Sequence, residues 1–150
     1  GDEVGKKLME QVFSLFAFDF FSGQNDRTHI NVSFEMNSDD VVKLAPLCDN
    51  GVAFNTGNFN SYISCFEDLY FPVDNYIDPR QLKLLKLVRN NLAFYNSLSK
   101  ALDINVQEVL NRTLEKYKLK ASIHDRIKLN DYFGAKKDVI ERTLSYSSKI

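Results

Sequence analysis

The chain has 150 residues, of which 44% are hydrophobic and 26% charged, as is typical of one folded domain with a real core. Its 19 basic and 20 acidic residues give a net charge of −1, which argues against a large nucleic-acid or anionic-membrane surface because both need clustered positive charge. No apolar run is long enough to span a bilayer, and the N-terminus lacks the apolar core of a signal peptide. Cys48 and Cys65 have no metal-ligand spacing around them, which favours a reduced, cytoplasmic protein.

The first predicted element is a helix over residues 3–21, where apolar side chains recur at helical spacing behind an acidic start. Its last residues, FAFDFF, are apolar on nearly every side, so we expect this helix to be deeply buried. The Ser22-Gly23 pair is a stop signal, and the helix should end there.

A β-hairpin is predicted next. The segments INVSFEM (30–36) and VVKLAPL (41–47) have strand composition, and the NSDD between them is turn chemistry. If Met36 pairs with Val41, the same register brings Asp49 level with Thr28. The hairpin should therefore return Asp49 to the polar loop that precedes the first strand.

The rest of the chain is predicted to be mainly helical. Residues 50–78 have weak periodicity but many Phe and Tyr side chains, so much of this stretch should pack against the domain. Pro79 suits a first helical position, and an apolar stripe follows at Leu82, Leu85, Val88 and Leu92.

Two further helices are predicted towards the C-terminus. Asn105 resembles a helix cap and precedes an amphipathic face made of Val106, Val109, Leu110, Thr113, Leu114 and Tyr117. A last helix should cover residues 131–145, with the inward side chains Tyr132, Phe133, Val139, Ile140 and Leu144. The fold class is therefore α+β, mainly α.

The loop between the first helix and the first strand holds a pattern typical of phosphoryl transfer. That reaction needs a carboxylate to orient the attacking hydroxyl and oxygen ligands to hold Mg²⁺ on the phosphates. Asp26 and Asn31 are five residues apart, and Asp49 opens a DNG turn after the hairpin. Their oxygens suit Mg²⁺. A structural interpretation stays open for each: a turn or cap at Asp26, a backbone partner at Asn31 and a turn former at Asp49.

The chain contains an internal control for this pattern. Asp125 and Asn130, in HDRIKLN, repeat the same offset and the Arg that follows the Asp. No pair of strands and no D-x-G turn come after Asn130, and His124 should lie at the surface near a helix start. The D-x4-N spacing alone therefore carries little weight, and the ordered set of helix, polar loop, strand, turn, strand and DNG carries the prediction.

The segments GQNDRTHINVSF and VKLAPLCDNG resemble the catalytic core of the HipA-type bacterial serine/threonine kinases, the toxin kinases of the kinase-like superfamily. They are more distantly similar to the catalytic loop of phosphoinositide kinases. The resemblance covers residues 23–51 and implies that Asp26 is the catalytic base and that Asn31 and Asp49 bind the metal of Mg·ATP.

The resemblance also implies a domain organisation. Residues 1–150 would form one kinase C-terminal lobe, with the catalytic loop and hairpin at 22–51, an activation-segment-like region at 52–78 and a helical part at 79–150. The expected function is transfer of the γ-phosphoryl group of ATP to a Ser or Thr hydroxyl of a protein substrate.

Two features depart from the family pattern. The His that usually lies two residues after the catalytic Asp is replaced by Thr28, with His29 one position later. No Gly-rich hairpin and no strand Lys precede Asp26, so the other half of the nucleotide site would have to come from outside these residues. The chain alone should then bind nucleotide weakly and be inactive.

The alternative is a non-catalytic, kinase-like module that binds an antitoxin-type protein partner in a toxin–antitoxin assembly. A supplied N-lobe would restore phosphoryl transfer in the first case and leave the chain inert in the second. Neither interpretation involves nucleic acid or a membrane.

Overall fold

The computed structural model describes residues 2–24, 32–36, 42–46 and 79–150. Within these ranges the chain is mainly helical with a small antiparallel sheet, which confirms the α+β, mainly α class. The elements in chain order are α1 (Asp2–Ser22), β1 (Phe34–Met36), β2 (Val42–Leu44), α2 (Pro79–Asn90), α3 (Leu92–Leu102), α4 (Val106–Tyr117) and α5 (Ile123–Ser147).

The core lies where α1, α3 and α5 pack together. The rings of Phe13 in α1 and Phe94 in α3 stack at 5.1 Å between centroids, and Phe21 packs on Phe133 of α5 at 4.8 Å. The expected burial of α1 is confirmed for most apolar side chains of its second half, including Phe13, Leu15 and Phe20. It is wrong for Phe16 and Phe18, which are 46% and 38% exposed.

The hairpin is present, but its register differs by one residue from the prediction. Met36 pairs with Val42 rather than Val41, and Phe34 pairs with Leu44. The strands are three residues long, and all of β1 is exposed. The register of a strand pair is fixed mainly by burial of one strand face. Because these strands are short and β1 is exposed, the sequence pattern gives little information about their register.

Side chains secure the hairpin across its two strands and at the edge of β2. Glu35 and Lys43 lie opposite each other and form an ion pair of 2.8 Å, and the hydrogen bond and charge of Glu35 raise the pKa of Lys43. On the outer edge, the Leu44 N–H donates to the side-chain oxygen of Gln11 in α1. This bond satisfies an edge-strand donor and attaches the hairpin to α1.

The apolar stripe predicted at Leu82, Leu85, Val88 and Leu92 is shorter than expected. Leu85 and Val88 are fully buried, but Leu92 is 72% exposed because α2 ends at Asn90. Asn91 lies in extended geometry between the two helices, and its side-chain amide donates to the Leu87 carbonyl at 2.7 Å. The break turns α3 to a new direction, and Leu92 therefore leaves the stripe.

The last helix begins eight residues before the predicted residue 131. Its start is fixed by Ser122, a cap that apolar periodicity does not reveal. All five predicted inward side chains of this helix are buried: Tyr132, Phe133, Val139, Ile140 and Leu144. The Asn105 cap of α4 is also confirmed, since its side chain accepts a hydrogen bond from the Glu108 N–H at 3.1 Å.

Candidate functional site

The three predicted site residues, Asp26, Asn31 and Asp49, lie outside the described residues. Arg27 and His29 do so as well. The structure therefore describes the elements from which these residues extend: the end of α1, the two strands of the hairpin, and the part of α5 that packs against α1.

The end of α1 is fixed by a Schellman motif two residues before Asp26. The Gly23 N–H donates to the Phe20 carbonyl at 3.2 Å, and the Gln24 N–H donates to the Asp19 carbonyl at 2.8 Å. Gly23 has φ +73°, the left-handed conformation that such a helix end requires and that glycine adopts without steric cost. The predicted stop at Ser22-Gly23 is confirmed.

Gly23 is also held against α5. A Cβ at this position would overlap the hydroxyl of Tyr132, which is buried. The absence of a side chain therefore allows the backbone and the Tyr132 ring to approach each other closely. Two independent requirements, the left-handed conformation and the close approach, select glycine at position 23.

Buried polar side chains surround this helix end. Asp19, Ser22 and Gln24 are all at least nine-tenths buried, and so is Lys136 of α5. Burial of such groups is costly unless they are hydrogen-bonded or paired, so polar residues at this depth form a fixed arrangement rather than a solvated surface. Each of Asp19, Gln24 and Lys136 makes at least one further interaction.

Lys136 is the residue that sequence analysis missed. Its ammonium lies 4.6 Å from the centroid of Phe20 and 5.5 Å from that of Tyr132, at the last turn of α1. A cation there interacts favourably with the two rings and with the negative end of the helix dipole. The signal was available, because Lys136 lies four residues after Tyr132 and three before Val139, on the predicted inward face of the helix.

The hairpin brings two parts of the chain to one end. The Ala45 N–H donates to the Ser33 carbonyl at 2.8 Å, which extends the β1–β2 pairing by one position beyond the strands. Asn31 is two residues before Ser33 in the sequence, and Asp49 is four residues after Ala45. The last described residues on this side of the strands, Val32 and Pro46, therefore lie at the same open end of the hairpin.

The second D-x4-N copy has a structural role. Asp125 is the third residue of α5 and forms a capping box: its N–H donates to the Ser122 hydroxyl at 3.1 Å, and its carboxylate accepts from the Ser122 N–H at 3.1 Å. The Ser122 hydroxyl also donates to the Asp125 carboxylate at 2.7 Å, and this bond, together with the one from the Ser122 N–H, lowers the pKa of Asp125. Asn130 instead accepts from the Gln107 side chain at 2.8 Å.

Arg126, which follows Asp125, also makes structural contacts. Its guanidinium donates to the side-chain oxygens of Asn111 at 2.7 Å and of Gln107 at 3.4 Å, so it joins α5 to α4. Five residues on a helix correspond to about 140° of rotation, which directs the two side chains of a helical D-x4-N to different faces. The spacing alone is thus a poor indicator of a metal site, as the sequence comparison within the chain suggested.

We predict that Ser122→Ala lowers the free energy of unfolding by about 1 kcal/mol at neutral pH, because the first turn of α5 loses its cap. The effect should depend on pH. A carboxyl group with a lowered folded-state pKa stabilises the fold above its unfolded pKa, and this stabilisation is lost as pH falls through the folded pKa. Urea unfolding of wild type and variant should therefore give a difference that shrinks below about pH 4. An equal difference at pH 7 and pH 2.5 would contradict the capping role of Asp125.

Residues in the described part of the chain line two open cavities. One, of about 480 Å³, lies between α1 and β2 beside Gln11, Ser14 and Leu44. The other, of about 420 Å³, lies between the α3–α4 connection and α5 beside Asn105, Asn130 and Lys137. Within the described ranges, no three His, Cys, Asp or Glu side chains are placed to hold a metal ion, and no helix is long and apolar enough to cross a membrane.

Comparison with known proteins gives no relative. No protein-family model matches the chain, and neither the curated proteins nor the solved structures contain a significant match.

Proposed function

We propose that this chain is the C-terminal catalytic lobe of a HipA-type serine/threonine protein kinase. The complete enzyme transfers the γ-phosphoryl group of ATP to a Ser or Thr hydroxyl of a protein, with Mg²⁺ as cofactor. The lobe needs a nucleotide-binding N-lobe to become active, because no Gly-rich hairpin or strand Lys precedes Asp26 in these residues.

The observation that carries the proposal is the antiparallel β1–β2 hairpin between the D-x4-N segment and the DNG segment. An antiparallel pair returns the chain to its starting end, so we expect the two segments with candidate metal ligands to be neighbours. If the observed register continues, Asp49 faces position 29, two residues from Asn31. With this register we therefore still expect Asn31 and Asp49 to be close enough to bind one ion.

The chemistry of the candidate residues agrees with the proposal. Asp26 supplies a carboxylate to orient the substrate hydroxyl, and the Asn31 amide and Asp49 carboxylate supply the hard oxygen ligands that Mg²⁺ takes. The ion in turn neutralises charge on the phosphates. The catalytic work assigned to the lobe is positioning and electrostatic stabilisation, which requires a rigid support more than a reactive side chain.

The end of α1 provides such a support. Gln24 is buried and its N–H is bonded to the Asp19 carbonyl, and Gly23 lies against Tyr132. Asp26 follows after only one intervening residue. The loop with the candidate base therefore starts from a point that is fixed by the core rather than from a frayed helix end.

The test is autophosphorylation and transfer to a protein substrate, measured with radiolabelled ATP for the chain alone and with a kinase N-lobe supplied by fusion. We expect no turnover for the chain alone and Mg²⁺-dependent turnover for the completed enzyme. A completed, folded enzyme that binds Mg·ATP but transfers no phosphate would contradict the proposal and favour the non-catalytic, partner-binding alternative.

A further inference from the structure

The turn that joins α4 to α5 stands away from the core of the domain. No residue of α4 is buried, and the first buried residue of α5 is Tyr132, ten residues after the cap Ser122. Ten helical residues span about 15 Å. Val106 and Leu129, which pack against the core, lie near the opposite end of the helix pair. The turn, residues 116–124, is therefore the projecting tip of the pair.

The tip is fixed by hydrogen bonds within the chain. The Lys118 and Leu119 N–H groups close the last turn of α4 by donating to carbonyls of that helix, and the capping box of Ser122 begins α5. Behind the tip, Arg126 of α5 donates to Asn111 of α4 at 2.7 Å. A partner would therefore meet a preformed surface, and binding would require little ordering of the chain.

Apolar side chains project from the tip. Leu119 is 59% exposed, and Ile123, at 77%, is the most exposed large hydrophobic side chain of the described residues. Tyr117 at the end of α4 is 60% exposed. Neither of the two cavities described above is lined by a residue of the tip, so these side chains protrude rather than form the wall of a groove.

Positive charge is concentrated around these side chains. Residues 112–128 carry six basic and two acidic side chains, whereas the rest of the chain carries 13 basic and 18 acidic ones. Three exposed lysines, Lys116, Lys118 and Lys120, alternate with Tyr117 and Leu119 in the sequence. The net charge of −1 thus averages a small basic end with an acidic remainder.

The three lysines are the charges that the tip can offer to a partner. Arg112 is ion-paired with Glu108, and Arg126 is bonded to α4. Among the contacts that the structure describes, no ion pair involves Lys116, Lys118 or Lys120, and Lys116 only lies over the neighbouring Tyr117 ring at 5.2 Å.

Lys118 occupies a backbone position that favours glycine. It ends α4 in the left-handed conformation with φ 52°, and no other non-glycine residue in the described ranges has a positive φ. Glycine adopts this conformation without the steric cost of a Cβ. A lysine is retained there although glycine would be less strained, which points to a use for its charge.

An anionic phospholipid surface matches this combination of charge and shape. Its headgroups attract basic side chains, and the boundary with the acyl chains accepts aliphatic side chains that protrude from a folded protein. A nucleic-acid backbone would match the charge but would leave Leu119 and Ile123 with nothing to bury against. A protein partner would need a concave acidic surface of matching shape, whereas a fluid bilayer adapts to a convex tip.

We propose that the tip is a peripheral docking site for an anionic phospholipid membrane. Leu119 and Ile123 enter the region below the headgroups, the three lysines lie at the phosphates, and both helices stay outside the bilayer. Each lysine should contribute about fivefold to the partition coefficient, so binding by this small site is weak and reversible. The inference does not depend on phosphoryl transfer.

Tryptophan fluorescence tests the insertion. The chain contains no tryptophan, so Leu119→Trp places a single emitter at the tip. We expect its emission to shift to the blue with phosphatidylcholine vesicles that contain about 30% phosphatidylserine, and to stay unchanged with pure phosphatidylcholine. Leu92→Trp, at a 72% exposed residue of α3, is the matched control and should not respond. No shift for Leu119→Trp, or an equal shift for both variants, would overturn the proposal.

Vesicle co-sedimentation tests the charges. Lys118→Gly should weaken binding to the anionic vesicles about fivefold while the fold stays intact, because glycine suits the left-handed conformation. Lys120→Gln should weaken binding equally, and Lys86→Gln, at an exposed residue of α2, should leave binding unchanged. Undiminished binding by both tip variants would overturn the proposal. So would a response of Leu119→Trp to soluble poly-glutamate but not to vesicles, because the partner would then be an acidic protein.

Discussion

Replacing Asp26 with Ala in the kinase completed by an N-lobe is expected to lower the rate of phosphoryl transfer about 10²–10⁴-fold. The variant loses the carboxylate that orients the attacking hydroxyl, while the binding of Mg·ATP stays intact. The defect should therefore appear in kcat rather than in the KM for ATP. The measurement is initial-rate kinetics with a saturating protein substrate.

Asp49→Ala should lower the same rate by a different route. It removes a carboxylate ligand from the metal, so the concentration of Mg²⁺ that gives half-maximal activity should rise along with the loss of kcat. A fall in kcat at an unchanged Mg²⁺ requirement identifies a base, whereas a fall in kcat with a higher Mg²⁺ requirement identifies a metal ligand. Full activity in either variant would remove that residue from the site.

Asp125→Ala is a control that the chain itself provides. Asp125 has the same spacing to an Asn and the same following Arg as Asp26, but in the structure it caps α5. We expect unchanged turnover and a modest loss of stability. Loss of turnover at Asp125 equal to that at Asp26, at a temperature where both variants are folded, would contradict the distinction between the two copies.

Gly23→Ala is expected to lower the free energy of unfolding by about 2–4 kcal/mol. One part of this cost is the left-handed conformation at φ +73°, which a Cβ disfavours. The other is the overlap of the new Cβ with the Tyr132 hydroxyl. Chemical denaturation followed by circular dichroism measures the sum.

A double-mutant cycle separates the two causes. In a Tyr132→Phe background the hydroxyl is gone, so Gly23→Ala should cost less than in wild type, while the conformational part remains. Gly5→Ala and Gly134→Ala are matched controls, because a Cβ at either position meets nothing and both lie inside helices. They should raise stability by up to about 1 kcal/mol. Equal effects of Gly23→Ala and Gly134→Ala would refute the role of the helix end.

The helices could be predicted where apolar periodicity and a stop signal act together. The end of α1 is an example, because Ser22-Gly23 follows a strongly apolar run and the structure needs glycine there for two separate reasons. The inward residues of α5 are another, since their spacing continues for more than three turns. In both cases local preference and core packing favour the same structure.

The start of α5 and the break at Asn91 were not predicted, because each depends on a contact rather than a pattern. Ser122 and Asp125 begin α5 through mutual hydrogen bonds in a stretch with exposed Ile123 and Ile127, which weakens any periodic signal. Asn91 interrupts an apolar stripe that would otherwise continue into Leu92. Single polar residues thus decided boundaries that the hydrophobic pattern had placed elsewhere.

The candidate site was found from the order of its elements rather than from their geometry. The hairpin was predicted correctly and its register to within one residue. Two three-residue strands, one of them exposed throughout, bury too little surface to fix the register from sequence. Lys136 was missed because a lysine on an inward face contradicts the usual preference for exposure. Its position at the last turn of α1 depends on the packing of α5 against that helix, which no local pattern encodes.

The central claim is that Asp26, Asn31 and Asp49 form one half of a phosphoryl-transfer site. Titration of the ¹⁵N-labelled chain with Mn²⁺, which replaces Mg²⁺ at oxygen ligands, tests it most directly because paramagnetic broadening reports weak binding. We predict that the amide signals near residues 26, 31 and 49 broaden together, recover with excess Mg²⁺, and stay sharp in Asp49→Ala. Broadening centred on Asp125 or other carboxylates, with residues 26, 31 and 49 unaffected, would contradict the account.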